Sequence, residues 1–291
     1  MSRGSASGAR GPRTRSAKDA VIAACDLDRT LIYSPRAFWL ETPDDQAPSI
    51  VVSEVYGGAP ISFMTRRAEQ LLVMLSSRAV FVPVTTRTVA QYRRVRLPGA
   101  PPAFAVTSNG GEILVDGEPD VEWSAVVHAE VAQNAAPLAE IAALLGDSSV
   151  TPWIVKVNIA DDLFVYAIVD REAMPPEWAD ELEALCHSLG WTVSVQGRKL
   201  YCVPQAVTKS AAVAEVRCRL GDGIVLAAGD SLLDQPMLET ADQAFRPAHG
   251  ELHEVGFTSA NLTVTSRKGI VAGEELLELL IEAAGPRGLW D

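Results

Sequence analysis

Asp26 and Asp28, in the run Asp26-Leu27-Asp28-Arg29-Thr30, directly follow the apolar stretch 20–25. A strand sends residues i and i+2 to the same side, so both carboxylates leave the end of a buried strand together. Paired this way, two carboxylates can divide the work of nucleophile and proton carrier, or hold a cation. The spacing alone fits equally well two solvated acids, or acids that cap the next turn. Three other polar elements stand in a similar position. Thr85-Thr86-Arg87 follows the apolar stretch 79–84, Lys209 opens a helical pattern, and Gly229-Asp230-Ser231-Leu232-Leu233-Asp234 follows 224–228. A cation at a helix N-terminus opposes the macrodipole, at a cost of roughly a few tenths of a kcal/mol or more, so Lys209 calls for a compensating anion.

The elements that must carry these residues are short. Stretches 20–25, 79–84, 103–106 and 224–228 end abruptly in polar residues and read as buried parallel strands. Helical patterns fall between some of them, at 65–77 with Thr65 as N-cap, and at 210–220 with Thr208 or Ser210 near the start. Such alternation predicts an α/β fold, a doubly wound parallel-sheet (Rossmann-like) core. Ligands in these sheets sit beyond the carboxyl ends of the strands, where the polar residues would converge. The stretch 33–62 is irregular; Gly57-Gly58 between apolar runs predicts a hairpin flap overhanging that edge.

Four polar elements in this order resemble the motifs of the haloacid dehalogenase superfamily of phosphatases: DLDRT, the Thr after the second strand, the Lys, and GDxxxD. The match spans residues 21–237. The resemblance implies a magnesium-dependent phosphohydrolase in which Asp26 is the nucleophile and a metal ligand. Asp28 would be general acid and then base, its backbone carbonyl also binding Mg2+. Asp230 would ligate the metal, and Asp234 would bind it or orient a metal-bound water. Lys209 would hold the nucleophile and the phosphoryl oxygens, and Thr85 would offer its hydroxyl to the phosphoryl group. Chemistry supplies a parallel reason, since a carboxylate attacks a phosphate dianion only if a cation offsets their repulsion and the leaving oxygen is protonated. Two positions depart from the family: Thr86 and Arg29 both replace common glycines.

Between 109 and 204 the rhythm changes to a helix at 125–145, strands at 153–158 and 163–170, a helix at 177–189, and strands at 191–195 and 199–203. The order αββαββ predicts an inserted α+β cap domain. The expected division is a disordered basic tail at 1–19, core at 20–124, cap at 125–203, and core again at 204–291. This layout resembles the class IIB cap, with Ser108-Asn109-Gly110-Gly111 as the segment before it. Thr86, Arg87 and Asn109 are the substrate-binding candidates on the core. Arg198 and Lys199 are those on the cap, with Lys156 and Asn158 as further cap candidates.

Composition narrows the partners. A net charge of −12, with Arg3, Arg10, Arg13, Arg15 and Lys18 confined to the first eighteen residues, argues against nucleic acid and anionic membranes. No apolar run approaches a membrane span, and the basic tail lacks the apolar run of a secretory signal. A cytoplasmic enzyme acting on a small phosphorylated metabolite is expected. A phosphomutase or phosphotransferase using the same intermediate is the alternative, followed by a non-catalytic binding module. Cys25, Cys186, Cys202 and Cys218 are expected to be small buried hydrophobes. His249 and His253 lack a third partner and are not expected to bind metal. The tryptophans of the cap are expected to serve packing.

Overall fold

The structure, a computed structural model, describes residues 20–146 and 151–286. The basic tail expected at 1–19 lies outside the described residues. In chain order the strands of the first half are β1 (Val21–Cys25), β2 (Ile50–Tyr56), β3 (Ala59–Thr65), β4 (Val80–Pro83), β5 (Phe104–Thr107), β6 (Glu112–Val115) and β7 (Glu118–Pro119). Those of the second half are β8 (Ile154–Ala160), β9 (Phe164–Val169), β10 (Trp191–Gln196), β11 (Lys199–Pro204), β12 (Ile224–Ala228), β13 (Gln243–Arg246) and β14 (Leu262–Val264). The helices are α1 (Arg66–Ser76), α2 (Val89–Tyr92), α3 (Val121–Asn134), α4 (Leu138–Gly146), α5 (Pro176–Ser188), α6 (Lys209–Arg219), α7 (Gln235–Thr240), α8 (Glu251–Glu254) and α9 (Ile270–Ala284).

The core is a five-stranded parallel sheet in the order β14-β13-β12-β1-β4. Its central strands read as unbroken apolar runs because helices cover both faces. Leu71, Leu72 and Leu75 of α1 pack with Leu276, Leu277 and Leu280 of α9 on one face. Ala212, Val213 and Val216 of α6 pack with Met237 and Leu238 of α7 on the other. Each fully buried leucine contributes roughly 1.5–3 kcal/mol. Thr65 caps α1 by accepting the Ala68 N–H at 2.9 Å, and Thr208 caps α6 by accepting that of Ala211 at 3.2 Å.

Register brings the strand ends level. Cys25 pairs with Ala228 on one side and Pro83 on the other, so Asp26, Thr85 and Asp230 emerge at one edge.

The stretch 103–106 runs parallel beside the end of β4 as expected, through the Val84–Val106 bridge and the Thr85 N–H on the Val106 carbonyl at 2.9 Å, but its main ladder, as β5, is an antiparallel sheet with β6 and β7. The cause is the turn after it: Ser108, Asn109 and Gly110 all have positive φ (52°, 59° and 100°) and fold the chain straight back. The expected helix at 125–145 is likewise two helices, because Pro137 has no N–H to give and Ala135 is extended.

In the cap, a four-stranded antiparallel sheet ordered β10-β11-β9-β8 carries α3, α4 and α5. Trp191 is fully buried there and donates its Nε1–H to the Ala136 carbonyl at 3.0 Å, while Trp153 and Trp178 pack edge to face. The flap is a hairpin of β2 and β3. Gly57 and Gly58 at its turn have φ of 58° and 79°, the left-handed pair that a two-residue type I′ turn demands. Cys25, Cys186 and Cys202 are buried, but Cys218 is exposed on the outer face of α6, where an amphipathic helix meets water. Among the described residues no helix is long and apolar enough to cross a membrane.

Candidate active site

Three buried carboxylates converge on one buried ammonium. Lys209 Nζ, at the first turn of α6, lies 2.7 Å from Asp26 Oδ1 and 2.6 Å from Asp234 Oδ1. These are the anions that its place at a helix N-terminus requires. The remaining oxygen of Asp234 accepts the N–H groups of Asp230 (3.1 Å) and Ser231 (2.9 Å) and the Ser231 hydroxyl (2.7 Å). Asp234 therefore fixes the loop after β12 and the lysine together. Asp26 Oδ2 and both oxygens of Asp230 receive no hydrogen bond from the described residues.

The electrostatics of this cluster leave negative charge over. Oxygens of Asp26, Asp230 and Asp234 lie within 4.8 Å of one another. One ammonium cannot neutralise all three. Burial, only partly offset by Lys209, pushes the Asp26 carboxyl up to about 7. Burial and then the neighbouring Asp26 carry Asp230 well above the carboxylate range, while Lys209 is held above its own usual value despite burial. An all-oxygen donor set with excess negative charge fits a hard divalent cation. Gly250 closes over the cluster: at φ 87°, a Cβ there would stand 2.4 Å from Asp230 Oδ2.

Asp28 faces the cleft rather than the cluster. Arg87 grips it with both arms of the guanidinium, Nε to Oδ2 at 2.6 Å and Nη2 to Oδ1 at 2.8 Å. Burial pushes the Asp28 carboxyl up, but this fork outweighs it and holds the group at about 2. The third nitrogen of Arg87 reaches Glu54 Oε2 at 2.7 Å, and Glu54 also takes Arg94 (3.0 Å) and the Ser62 hydroxyl (3.1 Å). The flap is thus bound to the second motif through a buried acid that the sequence did not single out. The available signal was an acid inside an apolar strand of a hairpin expected to overhang the site.

The other candidate residues divide. Thr85 is buried at the edge of the cluster, its hydroxyl accepting the Arg87 N–H at 3.2 Å, and Thr86 is buried beside it. Asn109 donates its amide to the Val207 carbonyl at 2.9 Å, so it ties the two crossings into the cap. Arg29 adopts φ 63°, the left-handed conformation that explains why glycine is common at this place. Arg198 and Lys199 line a cleft of about 490 Å³ together with Asp28, Arg29, Arg87 and Tyr201, whereas Lys156 and Asn158 lie on β8 away from it. His249 is occupied by the Arg29 carbonyl at Nε2 (2.8 Å) and the Gly269 N–H at Nδ1 (3.1 Å), and His253 meets Arg246. Both ring nitrogens of His249 are therefore engaged within the fold.

Two carboxylates fasten the cap over this edge. Glu251 of α8 accepts the N–H of Leu232 (3.1 Å) in the loop after β12, and the Ser194 hydroxyl (3.0 Å) and Val195 N–H (2.9 Å) of β10. Asp161, in the β8–β9 turn, accepts the Val89 N–H at 3.0 Å and the Ser108 hydroxyl. Neither stood out in the sequence. Glu251 sits between the two histidines weighed above, where attention fell on the rings.

No protein-family model and no curated protein matches the chain. Solved structures do. A sucrose-phosphatase from Synechocystis sp. PCC6803, in complex with sucrose and phosphate, aligns with a TM-score of 0.62 at 15% identity, covering 90% of this chain and 98% of that one. A HAD subclass IIB sugar phosphatase aligns at 0.52 and 12%, covering 89% and 99%. A HAD phosphatase from Bacteroides thetaiotaomicron aligns at 0.50 and 14%, covering 96% and 99%. With its parallel core, its inserted cap and its polar strand ends gathered beneath that cap, the chain has the fold of the haloacid dehalogenase superfamily phosphatases.

Proposed function

We propose that the protein hydrolyses a small phosphate monoester, a sugar phosphate being the leading class, through a phosphoryl intermediate on Asp26 with Mg2+ as cofactor. The observation that carries this reading is the ammonium of Lys209 between Asp26 and Asp234, beside an Asp230 carboxylate with no hydrogen-bond donor among the described residues. Such a cluster is costly to bury unless a cation and an anionic substrate complete it. The similarity to phosphatases of sucrose phosphate and other sugar phosphates supports the substrate class.

Asp26, Asp230 and the Asp28 carbonyl would hold the metal, with Asp234 orienting its surroundings. When bound, Mg2+ supplies positive charge that offsets the repulsion between the Asp26 carboxylate and a phosphate dianion. Lys209 works against the burial that raises Asp26 and holds Oδ1, which leaves Oδ2 free. Asp26 Oδ2 attacks phosphorus, the ester P–O bond breaks, and the leaving oxygen takes a proton from Asp28. A water then gives its proton to the Asp28 carboxylate and its oxygen to phosphorus, releasing phosphate and restoring Asp26. Thr85 would offer its hydroxyl to a phosphoryl oxygen.

Arg87 opposes the protonated form of Asp28, so the arriving phosphate must work against that grip. Its negative charge does so in two ways, by raising the affinity of Asp28 for a proton and by offering Arg87 a competing anion.

Acid quenching during turnover of a 32P-labelled ester, followed by peptide mapping, tests the reading; label on any residue other than Asp26 overturns it. Running the reaction with an added alcohol acceptor separates hydrolysis from phosphotransfer by the product formed.

A further inference from the structure

We propose that the cleft under the cap selects phosphate monoesters whose leaving group carries a second anionic group, and that Arg198 and Lys199 receive it with Arg29 and Arg36. This deepens the phosphatase reading above and rests on it.

The starting observation is a charge inversion. The chain has 37 acidic and 25 basic residues, yet the cleft lining has five cations, Arg29, Arg36, Arg87, Arg198 and Lys199, against one acid, Asp28. Asp28 and Arg87 satisfy each other. The other four have no carboxylate within 4.0 Å among the described residues, whereas arginines elsewhere, such as Arg67, Arg219 and Arg267, are paired with acids. In so acidic a chain, four unpaired cations on one concave surface point to an anion that comes from outside.

Two of the four are held in place without an acid. The Arg29 guanidinium lies 5.6 Å from the Trp39 ring centre and packs against Gly197 of the β10–β11 turn, where a Cβ would come within 2.9 Å of it. Lys199 Nζ lies 5.9 Å from the Tyr166 ring centre, beside Tyr201 in the cleft lining. Aromatic rings steady a cation without neutralising it, which leaves its charge for a ligand.

Charge decides what that ligand is. At the catalytic end, three aspartates, Lys209 and the divalent ion proposed above would together carry no net charge. A phosphate dianion offsets about half of the four cleft cations. A leaving group bearing only hydroxyls would leave the rest unpaired as the cap excludes water, at a desolvation cost. A carboxylate or a second phosphate would accept charge-assisted bonds from them, in the two-pronged manner arginine allows.

The test is steady-state kinetics of the full chain with Mg2+ on glucose 6-phosphate, 6-phosphogluconate, glucose 1,6-bisphosphate and p-nitrophenyl phosphate. The expected result is a kcat/KM about tenfold or more higher for a second-anion substrate than for glucose 6-phosphate, the worth of one charge-assisted hydrogen bond. Preference for 6-phosphogluconate assigns a carboxylate; preference for the bisphosphate assigns a phosphate. In the Arg198→Gln/Lys199→Gln variant the ratio of anionic to neutral substrate should fall toward one, and added salt should lower it in the wild type. Equal kcat/KM for all three sugar esters, with p-nitrophenyl phosphate turned over, overturns the selectivity while the phosphatase reading stands. Failure on every ester, p-nitrophenyl phosphate included, overturns both.

Discussion

Arg87 and Asp28 are 59 positions apart and form a two-pronged ion pair, with a buried Glu54 behind the arginine. The arginine thus joins the general-acid candidate to the flap. Arg87→Ala should destabilise the fold by about 1–3 kcal/mol, because it leaves the buried Glu54 to Arg94 and the Ser62 hydroxyl alone. Most of that loss should disappear when Glu54→Gln is added, since a neutral amide tolerates the gap better. Denaturant unfolding of the four proteins of the cycle measures this coupling; additive losses would show that the two residues act separately.

Asp28→Asn should lower turnover of an alkyl phosphate by about 10²–10⁴-fold, the usual worth of general acid–base catalysis. An ester with a good leaving group needs no proton in the first step, so its burst of phosphoryl-enzyme formation should survive. Loss of both burst and turnover would point to a damaged site instead.

Removal of divalent ions by chelation should abolish turnover, and Mg2+ should restore it. Ca2+ should bind without supporting much turnover, because its larger and more flexible shell fixes the carboxylates less tightly. Full activity in chelator would contradict the assignment of Asp26 and Asp230 as ligands. His249→Ala with His253→Ala should leave the metal dependence as it is, His249 being engaged at both nitrogens by backbone and His253 at Nδ1 by Arg246.

Stability should fall with acid through His249. Burial presses this imidazole down to about 4, below its ordinary 6.5. Between those values the unfolded chain binds a proton that the folded one refuses. The stabilisation is therefore complete above about pH 6.5, is lost progressively towards pH 4, and amounts to about 3 kcal/mol. Unfolding midpoints of the wild type and His249→Gln measured from pH 7 to 4 should differ by this slope, the opposing contribution of the raised Asp26 and Asp230 carboxyls being common to both.

Glu251→Ala should loosen the cap, freeing the Val195 N–H and the Ser194 hydroxyl of β10. KM for a substrate that meets the cap should rise about tenfold, the worth of one charge-assisted hydrogen bond, with kcat less affected. Hydrogen exchange at 191–204 should accelerate in the same variant. Unaltered exchange there would mean that apolar packing alone holds the cap.

The polar residues at strand ends were legible in the sequence because local chemistry makes them so. A buried parallel strand is a short apolar run, and its abrupt stop places Asp26, Thr85 and Asp230 at one edge of the sheet. Lys209 could be expected to find an anion, since its position on α6 opposes the helix dipole. The inserted α+β cap announced itself by its change of rhythm. None of these readings needed a distant partner. What tertiary structure decided was pairing across long separations: Glu54 with Arg87, Glu251 with β10, Asp161 with Ser108. It also decided that β6 turns back antiparallel on β5, through left-handed residues whose side chains do not forbid other conformations. An isolated acid looks the same in sequence whether it meets water or a buried arginine, because only packing removes the water.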